Sequence, residues 1–403
     1  MTIAASQTST DVALPLPGPT DRAALQFGDI RLAVVRDYSS IETDWRRLEG
    51  REWNSLNQGL DWCRTWAETQ KADMATVTGS IGSRVVLILP FEISRERLGR
   101  VARLPGGRFN NINTGLFDEE LTQPNTEELQ RFKASLAKTL HGLADLIVID
   151  EVPLQWKGIS HPLAALASIE NQNHSFQLPL LGTMEATLSQ VNAKTRRKKF
   201  RAQVRRLEAI GGFDYVVATE ANEQHDLLDR FFVQKGTRLK AFGLPDVFAP
   251  QETQAFLHRL LDAPERGTDR ALAMHAIRLK GEHEGHLAAI TGLSRQGGHV
   301  LCQFSSIDES IGADASPGEL LFWLVIENSI ENGAGLFDFG IGDQPYKRSW
   351  CSQETVLHDM LLPLTLKGSL LAFRHLAATR AKTMIKRNPR LYTLAQSLRS
   401  KLG

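Results

Sequence analysis

The stretch whose reading decides the fold runs from His299 to Trp350: HVLCQFSSIDESIGADASPGELLFWLVIENSIENGAGLFDFGIGDQPYKRSW. HVLCQFSSID is an apolar, β-rich run and reads as a buried strand. SPGELLFWLVIENSIENG opens on Pro317 and Gly318 and closes at Gly333, the punctuation of a helix. LFDFGIGD then reads as a second strand running into a glycine-rich loop. A helix N-terminus presents unpaired N–H groups and the positive end of the helix dipole, which suits a pyrophosphate, and Gly318 lets a ligand approach the backbone closely. The plainer reading is that Ser316 and Pro317 only start a helix.

The second half of the quoted stretch carries reactive groups. On a strand, Asp338 faces away from Phe337 and Phe339, so it points either to solvent or into a cleft. Gly340 and Gly342 permit a sharp loop that brings Asp343, Tyr346 and Lys347 together, with Trp350 just beyond. An acid, a phenol and an amine are expected to converge there, the alternative being a turn with surface charges.

Upstream, residues 1–25 are rich in Thr, Ser, Pro and Ala without periodicity and read as a disordered tail. IRLAVVRDY reads as a strand, and IETDWRRLEGR and LDWCRTWAETQ as helices whose Trp45, Leu48, Trp62 and Trp66 belong to a core. ATVTGSIG and RVVLILPFEIS are two strands, VARLPGGRFNNINTGLF is a loop crowded with Gly and Asn, and TEELQRFKASLAKTLHGL is a helix feeding the strand ADLIVIDEVP. The segment from Lys194 to Arg206 holds eight basic residues and no acidic one. This basic helix is either a solvated face or a binder of phosphate, an anionic glycan carrier or RNA. After two further helices, ALAMHAIRLK, GHLAAITGLS and HVLCQFSSID are three strand candidates. TVLHDMLLPLTL is a last strand, and residues 368–403 form a helical tail with eight basic and no acidic residues. That tail either packs on its domain or lies on an anionic membrane surface. Strands alternate with helices throughout, which gives an α/β protein.

With 403 residues, the chain exceeds what one core usually organises, so two domains are expected. The formal net charge of +1 excludes a claim for nucleic acid or acidic substrates from overall balance. Cys63, Cys302 and Cys351 are far apart, in no CxxC spacing, and the histidines show no HExxH pair, so neither a disulfide framework nor a metal site is expected. No GxSxG elbow and no Walker A loop is present, which argues against a serine hydrolase and a P-loop NTPase. The N-terminus lacks a basic start and an apolar h-region, and no apolar run approaches the length of a membrane span, so a cytoplasmic protein is expected.

The order strand, SPGxLL helix, Gly, xDFGxGDxxYKxxW, strand resembles the CelD/BcsL-type acetyltransferases, a branch of the GNAT superfamily related to the FemAB peptidyltransferases and associated with cellulose and other exopolysaccharides. RRKKFRAQVRRLE, FFVQKGTRLKAFG and DWCRTW fit the same layout. The resemblance spans roughly residues 30–365 and implies two tandem GNAT-like α/β domains with mixed central sheets flanked by helices, divided as 26–182 and 183–367. It implies acetyl-CoA or another acyl-CoA as co-substrate, with no metal. The acyl-CoA would lie along Ser305 and Ile307, and its pyrophosphate at Ser316, Pro317, Gly318, Glu319, Leu320 and Leu321. It further implies transfer to an amine or hydroxyl of a sugar or saccharide precursor, with Asp338 or Asp343 as base or anchor, Tyr346 as acid and Lys347 as a substrate or phosphate contact. The usual GNAT phosphate loop is absent, only Pro317-Gly318 standing in its place. A FemAB-like aminoacyltransferase and a non-catalytic module binding an anionic partner are the rival readings; the inserted helical arm by which FemAB relatives contact transfer RNA has no counterpart of sufficient length here.

Overall fold

The structure is a computed structural model that describes residues 25–387, with side chains described to residue 384. The tail expected over residues 1–25 lies, apart from Leu25, outside the described residues, as does the 388–403 portion of the basic tail.

The strands are β1 (Arg31–Val35), β2 (Met74–Ile81), β3 (Arg84–Glu96), β4 (Gly99–Arg103), β5 (Leu116–Phe117), β6 (Leu146–Pro153), β7 (Gln155–Trp156), β8 (Ile159–Ser160), β9 (Ala167–Glu170), β10 (Ser175–Pro179), β11 (Phe213–Val217), β12 (Arg270–Leu279), β13 (Leu287–Gln296), β14 (His299–Ile307), β15 (Leu336–Ile341), β16 (Gln353–Thr355) and β17 (Leu357–Pro363). The α-helices are α1 (Glu42–Glu49), α2 (Leu60–Gln70), α3 (Thr126–Thr139), α4 (Met184–Leu188), α5 (Ala193–Glu208), α6 (Ala221–Ala241), α7 (Gln251–Leu261), α8 (Pro317–Glu331), α9 (Pro345–Trp350) and α10 (Leu366–Arg387). One sheet has the order β1-β2-β3-β4-β6-β17-β9 with β5 on β3, and the other β11-β12-β13-β14-β15-β10-β16. Both follow one plan. Three antiparallel pairings lead to a parallel pair, β4 with β6 or β14 with β15, and two antiparallel pairings complete the sheet. The chain is thus a structural duplication of about 180 residues per copy, which no short-period sequence repeat announces.

The two copies exchange strands. β10, which precedes residue 182, lies in the second sheet between β15 and β16, and β17, which precedes residue 367, lies in the first between β6 and β9. The division expected at 182/183 therefore does not coincide with the sheets. The sequence pattern could place a strand but not its neighbour, because SFQLP and LHDMLLP are apolar enough to be buried in either sheet.

Packing follows the same interlocking. Trp45, Leu60 and Trp62 from the first copy share one core with Phe231, Phe256, Ile290 and Phe304 from the second. The Trp62 ring meets that of Phe256 edge-on, 5.0 Å between centroids. Each large apolar side chain buried here contributes about 1.5–3 kcal/mol, enough for a handful to hold the halves as one body. Trp45, Leu48 and Trp62 are buried as their helical spacing implied, whereas Trp66 is half-buried and its Nε1 donates to Glu92 at 2.9 Å.

The loop that the sequence marks by its Gly and Asn is fixed from inside. Gln58 donates to Asn113 Oδ1 at 2.7 Å, Asn57 Oδ1 accepts from the Asn111 N–H at 3.0 Å, and the Asn110 amide donates to the Pro105 carbonyl at 2.9 Å. Buried amides replace a strand ladder, so the segment is rigid without regular structure.

His161 belongs to the same frame and is held neutral. Its Nδ1 accepts from the Leu163 N–H at 3.0 Å, so the proton sits on Nε2 and is donated to the Thr114 carbonyl, 2.8 Å away. Burial lowers its pKa from 6.5 to about 4, and burial does the same to His275. In both cases the unfolded chain takes up the proton first as pH falls. Their contribution to stability is therefore complete above pH 6.5 and lost as pH drops through about 4, on the order of 3 kcal/mol each. Urea denaturation midpoints are expected to fall steeply between neutral pH and pH ~4.5; a midpoint that stays level across that window would contradict the neutral assignment.

Candidate active site

β14 pairs with β13 along its whole length, from His299 opposite Gln296 to Ile307 opposite Ala289. Its pairing with β15 covers only His299, Val300 and Leu301. Beyond Leu301 the two parallel strands part, while β15 continues along β10 as far as Ile341 opposite Ser175. The edge of β14 from Cys302 to Ile307 therefore faces a cleft of about 760 Å³. The first turn of α8, the end of β15, the start of α9 and Lys235 and Arg238 of α6 enclose it, and Arg108 to Asn111 of the first copy supply the far wall. Apart from the Ser305 carbonyl, which takes Lys235, this edge has no strand partner beside the open slot, and such an edge can accept an extended, amide-bearing ligand as an added strand.

The slot ends at the N-terminus of α8. Ser316 is left-handed, φ 49°, and no side chain caps the helix. Ser316 thus differs from the capping serine that the plainer sequence reading supposes. A non-glycine residue held in this conformation is strained, and such strain persists where surrounding structure enforces it. Gly318 sits against β14: a Cβ there would lie 2.7 Å from Ile307 Cγ2. Glu319 places a carboxylate in the first turn, and Arg196 and Lys199 of α5 pair with it at 3.5 and 3.2 Å. Arg196 is buried, its guanidinium stacked on the Trp350 ring at 3.9 Å. Part of the basic helix is thereby spent within the fold, while Arg201 and Arg205 remain on its exposed face. Ser305, Ile307, Ser316, Pro317, Gly318 and Glu319 all line the cleft. Leu320 and Leu321 do not; they point into the core beneath α8, one step round the helix from the open face.

Asp338 lies in neither of the environments its strand position allowed. It is fully buried and accepts from Asn111 Nδ2 (3.1 Å), Ser175 Oγ (3.1 Å), Gln177 Nε2 (3.3 Å) and the Gly340 N–H (2.8 Å), with His299 Nε2 at 3.3 Å. Strand exchange is the cause: β10 brings Ser175 and Gln177, and the first copy brings Asn111, over the face that would otherwise be open. Asn111 Oδ1 also accepts from the Ile341 N–H at 2.6 Å. Gly340 is left-handed, φ 77°, and a Cβ there would come within 3.1 Å of Asn111 Oδ1, so a glycine is required for this clasp. Asp338 and Asn111 position the end of β15 rather than meeting a ligand through the carboxylate.

The expected convergence of Asp343, Tyr346 and Lys347 resolves into three fates. Asp343 is exposed and forms a two-point ion pair with Arg348, 2.6 and 2.8 Å, outside the cleft. Lys347 lines the cleft but is buried, and its ammonium donates to the carbonyls of Gly340 (3.0 Å) and Ile341 (2.7 Å). Burial lowers its pKa. Tyr346 lines the cleft with its ring stacked on Phe322, centroids 5.3 Å apart and planes at 10°. Burial raises its pKa, so its hydroxyl stays protonated at neutral pH and can donate. PYKRSW forms the short helix α9, which sends the adjacent Tyr346 and Lys347 in different directions, while Asp343 precedes the helix.

Several lining groups had no sequence signal. Asn110 and Asn111 come from a segment legible only as loop, Cys302 from a strand face, and Lys235 from mid-helix. Lys235 donates to the Ser305 carbonyl at 2.9 Å, tying α6 to the open edge of β14; burial lowers its pKa, while burial raises that of the Cys302 thiol.

Residues 194–348 match the family model described as "Acetyltransferase (GNAT) domain". A comparison with curated proteins gives no match. Among solved structures, that of FemX is similar with a TM-score of 0.59 at 12% identity, over 82% of this chain and 97% of that one. The C-terminal domain of a putative lysylphosphatidylglycerol synthetase from Agrobacterium fabrum is similar with a TM-score of 0.50 at 12% identity, over 83% of this chain and 95% of that one. At such identities the likeness is one of fold. The parting of β14 from β15 and the helix that starts at its mouth thus lie within the stretch, 194–348, that is similar to a GNAT acetyltransferase domain, in a mixed α/β fold built of two copies of one sheet plan.

Proposed function

We propose that this protein is an acyl-CoA-dependent acyltransferase whose donor lies in the cleft between β14 and β15. The observation that carries the reading is the open edge of β14 from Cys302 to Ile307, ending at an uncapped helix N-terminus. The amide-rich arm of the donor would pair with that edge, and its pyrophosphate would meet the first N–H groups of α8 beside Gly318. Glu319 is a like charge at that point, and Arg196 and Lys199 offset it. In the reaction the acceptor's nitrogen or oxygen bonds to the thioester carbonyl carbon, the C–S bond breaks, and a proton passes in net from acceptor to thiolate. Tyr346 is the cleft's donor for that thiolate. Lys347, held on two carbonyls, fixes the end of β15 beside it. The resemblance to exopolysaccharide-associated acetyltransferases supports a sugar amine or hydroxyl as acceptor and an acetyl group as cargo.

Calorimetric titration with acetyl-CoA and CoA tests the donor site. Wild-type protein is expected to bind both, and Gly318→Trp, whose side chain would collide with Ile307 and fill the mouth, is expected to lose binding at least tenfold. A circular-dichroism melt guards against misfolding of the variant. Wild-type protein that binds neither ligand at concentrations that saturate ordinary GNAT enzymes would sink the reading.

Tyr346→Phe separates chemistry from binding. Acetyl-CoA affinity is expected to stay within a few-fold, since the stacked ring remains, while kcat falls by about 10²- to 10⁴-fold. The readout is CoA release, followed with a thiol reagent across a panel of amino sugars. An unchanged kcat would remove Tyr346 from the acid role.

A further inference from the structure

Helix α10 has two faces of opposite character. Leu371, Ala372 and Leu376 pack onto Val101, Leu146, Val148 and Leu361 of the first sheet, and His375 donates to Asp359 at 3.0 Å. Gly368 brings the start of the helix against the Asp145 carbonyl, where a Cβ would have no room. The helix is therefore fixed on its inner side. On its outer side Leu366, Leu370, Phe373 and Met384 are 91%, 51%, 67% and 67% exposed. At 100° per residue these four, with exposed Ala377, fall within an arc of roughly 60°, a stripe roughly 27 Å long. Single exposed apolar residues are ordinary, but a continuous stripe along one rigid helix calls for an occupant.

The charges around the stripe choose among occupants. Lys367 and Arg374 flank it on one side and Arg380 on the other, and the sequence of α10 contains no acidic residue. A second copy of the same face would bring arginine against arginine. Residues 388–403 add Arg390, Arg399 and Lys401 and no acid, so they complement the stripe no better. No described helix is long and apolar enough to cross a membrane. An apolar stripe bordered by cations matches a helix lying in the plane of an anionic lipid surface, with apolar side chains among the acyl chains and bases among the headgroups.

We propose that the outer face of α10, Leu366, Leu370, Phe373 and Met384 with Lys367, Arg374 and Arg380, docks the protein on anionic membrane. The full chain is tested by flotation with vesicles of phosphatidylcholine alone and of phosphatidylcholine with phosphatidylglycerol. Wild-type protein is expected to float with the anionic vesicles only, and less so as salt is raised. Leu370→Ser with Phe373→Glu is expected to lower the partition coefficient about tenfold or more. Arg374→Glu with Arg380→Glu is expected to lower it by about fivefold per base removed, the equivalent of about 1 kcal/mol each. All four side chains point outward, so melting temperature and acetyl-CoA binding should stay as in the wild type. Equal flotation with both vesicle types, no flotation, or flotation indifferent to the apolar pair would overturn the proposal. So would light scattering that shows a wild-type dimer split by Leu370→Ser with Phe373→Glu, since a second copy would then own the face.

Discussion

The constraint on which the rest depends is that β15 leaves β14 beyond Leu301 while keeping its partner β10. From Leu336 to Ile341 its other edge is occupied by a strand that the chain lays down about 160 residues earlier. A strand whose hydrogen bonds are satisfied on one side can leave its neighbour on the other without stranding its backbone in the core. The cleft is thus a consequence of sheet order. Exchange of β10 and β17 also makes the two copies inseparable, because each supplies a central strand of the other's sheet. A wall built by Asn110 and Asn111 of one copy can then face a strand of the other with fixed geometry.

The network around Asp338 is the local expression of that constraint. A buried carboxylate costs several kcal/mol unless hydrogen bonds compensate, and here the donors come from four places: the first copy's loop, β10, β14 and the glycine two residues on. None of these alone would fix the end of β15. Together they hold Gly340 and Ile341 so that their carbonyls receive Lys347, and Lys347 in turn anchors α9 with Tyr346 turned to the cleft. A polar chain runs from the interior of the joint to the Tyr346 ring at the cleft.

Much of this was legible in the sequence at the level of elements. The periodicities of residues 31–96, 126–153, 193–261 and 270–341 correspond to strands and helices in the expected order, since each buries an apolar face of matching period, whereas β4 begins the stretch whose Gly and Asn read as loop. That Ser305, Ile307 and Ser316 to Glu319 come together at one cleft was legible too, because the signal is local: a strand, a loop and a helix start adjacent in the chain. Asp338, Asp343 and Lys347 were legible as unusual but not by role. Their environments depend on β10, Arg348 and the carbonyls of β15, and the sequence pattern carries no information on which distant segment covers a strand face. Asn111 shows the limit most clearly. An asparagine in a glycine-rich stretch reads as loop, and only tertiary structure makes it the clasp of the other copy's strand.

Duplication raises the question of which copy better suits the proposed donor. The first copy has the same parallel pair, β4 with β6, joined at Val101 to Arg103 and Leu146 to Val148 and then parting. The space beyond, about 300 Å³, is lined by Asp150, Glu151, Asp359 and His375 together with Arg103, Arg108 and Lys382. Ligand atoms of Asp150, Asp359 and His375 lie within 4.8 Å of one another, and burial with the neighbouring carboxylates raises the pKa of Glu151 far above its usual value. A phosphate-bearing ligand entering there would add negative charge to a site whose carboxylates already crowd one another. In the second copy the cleft beyond the parting holds Glu309 and Glu319 against Arg108, Lys235, Arg238 and Lys347. The first space carries three acidic side chains against three basic ones and the second two against four, so the second is the more favourable for an anion. Two clefts of one topology are thus made unequal by charge, and the inequality favours the second for an anionic acyl carrier.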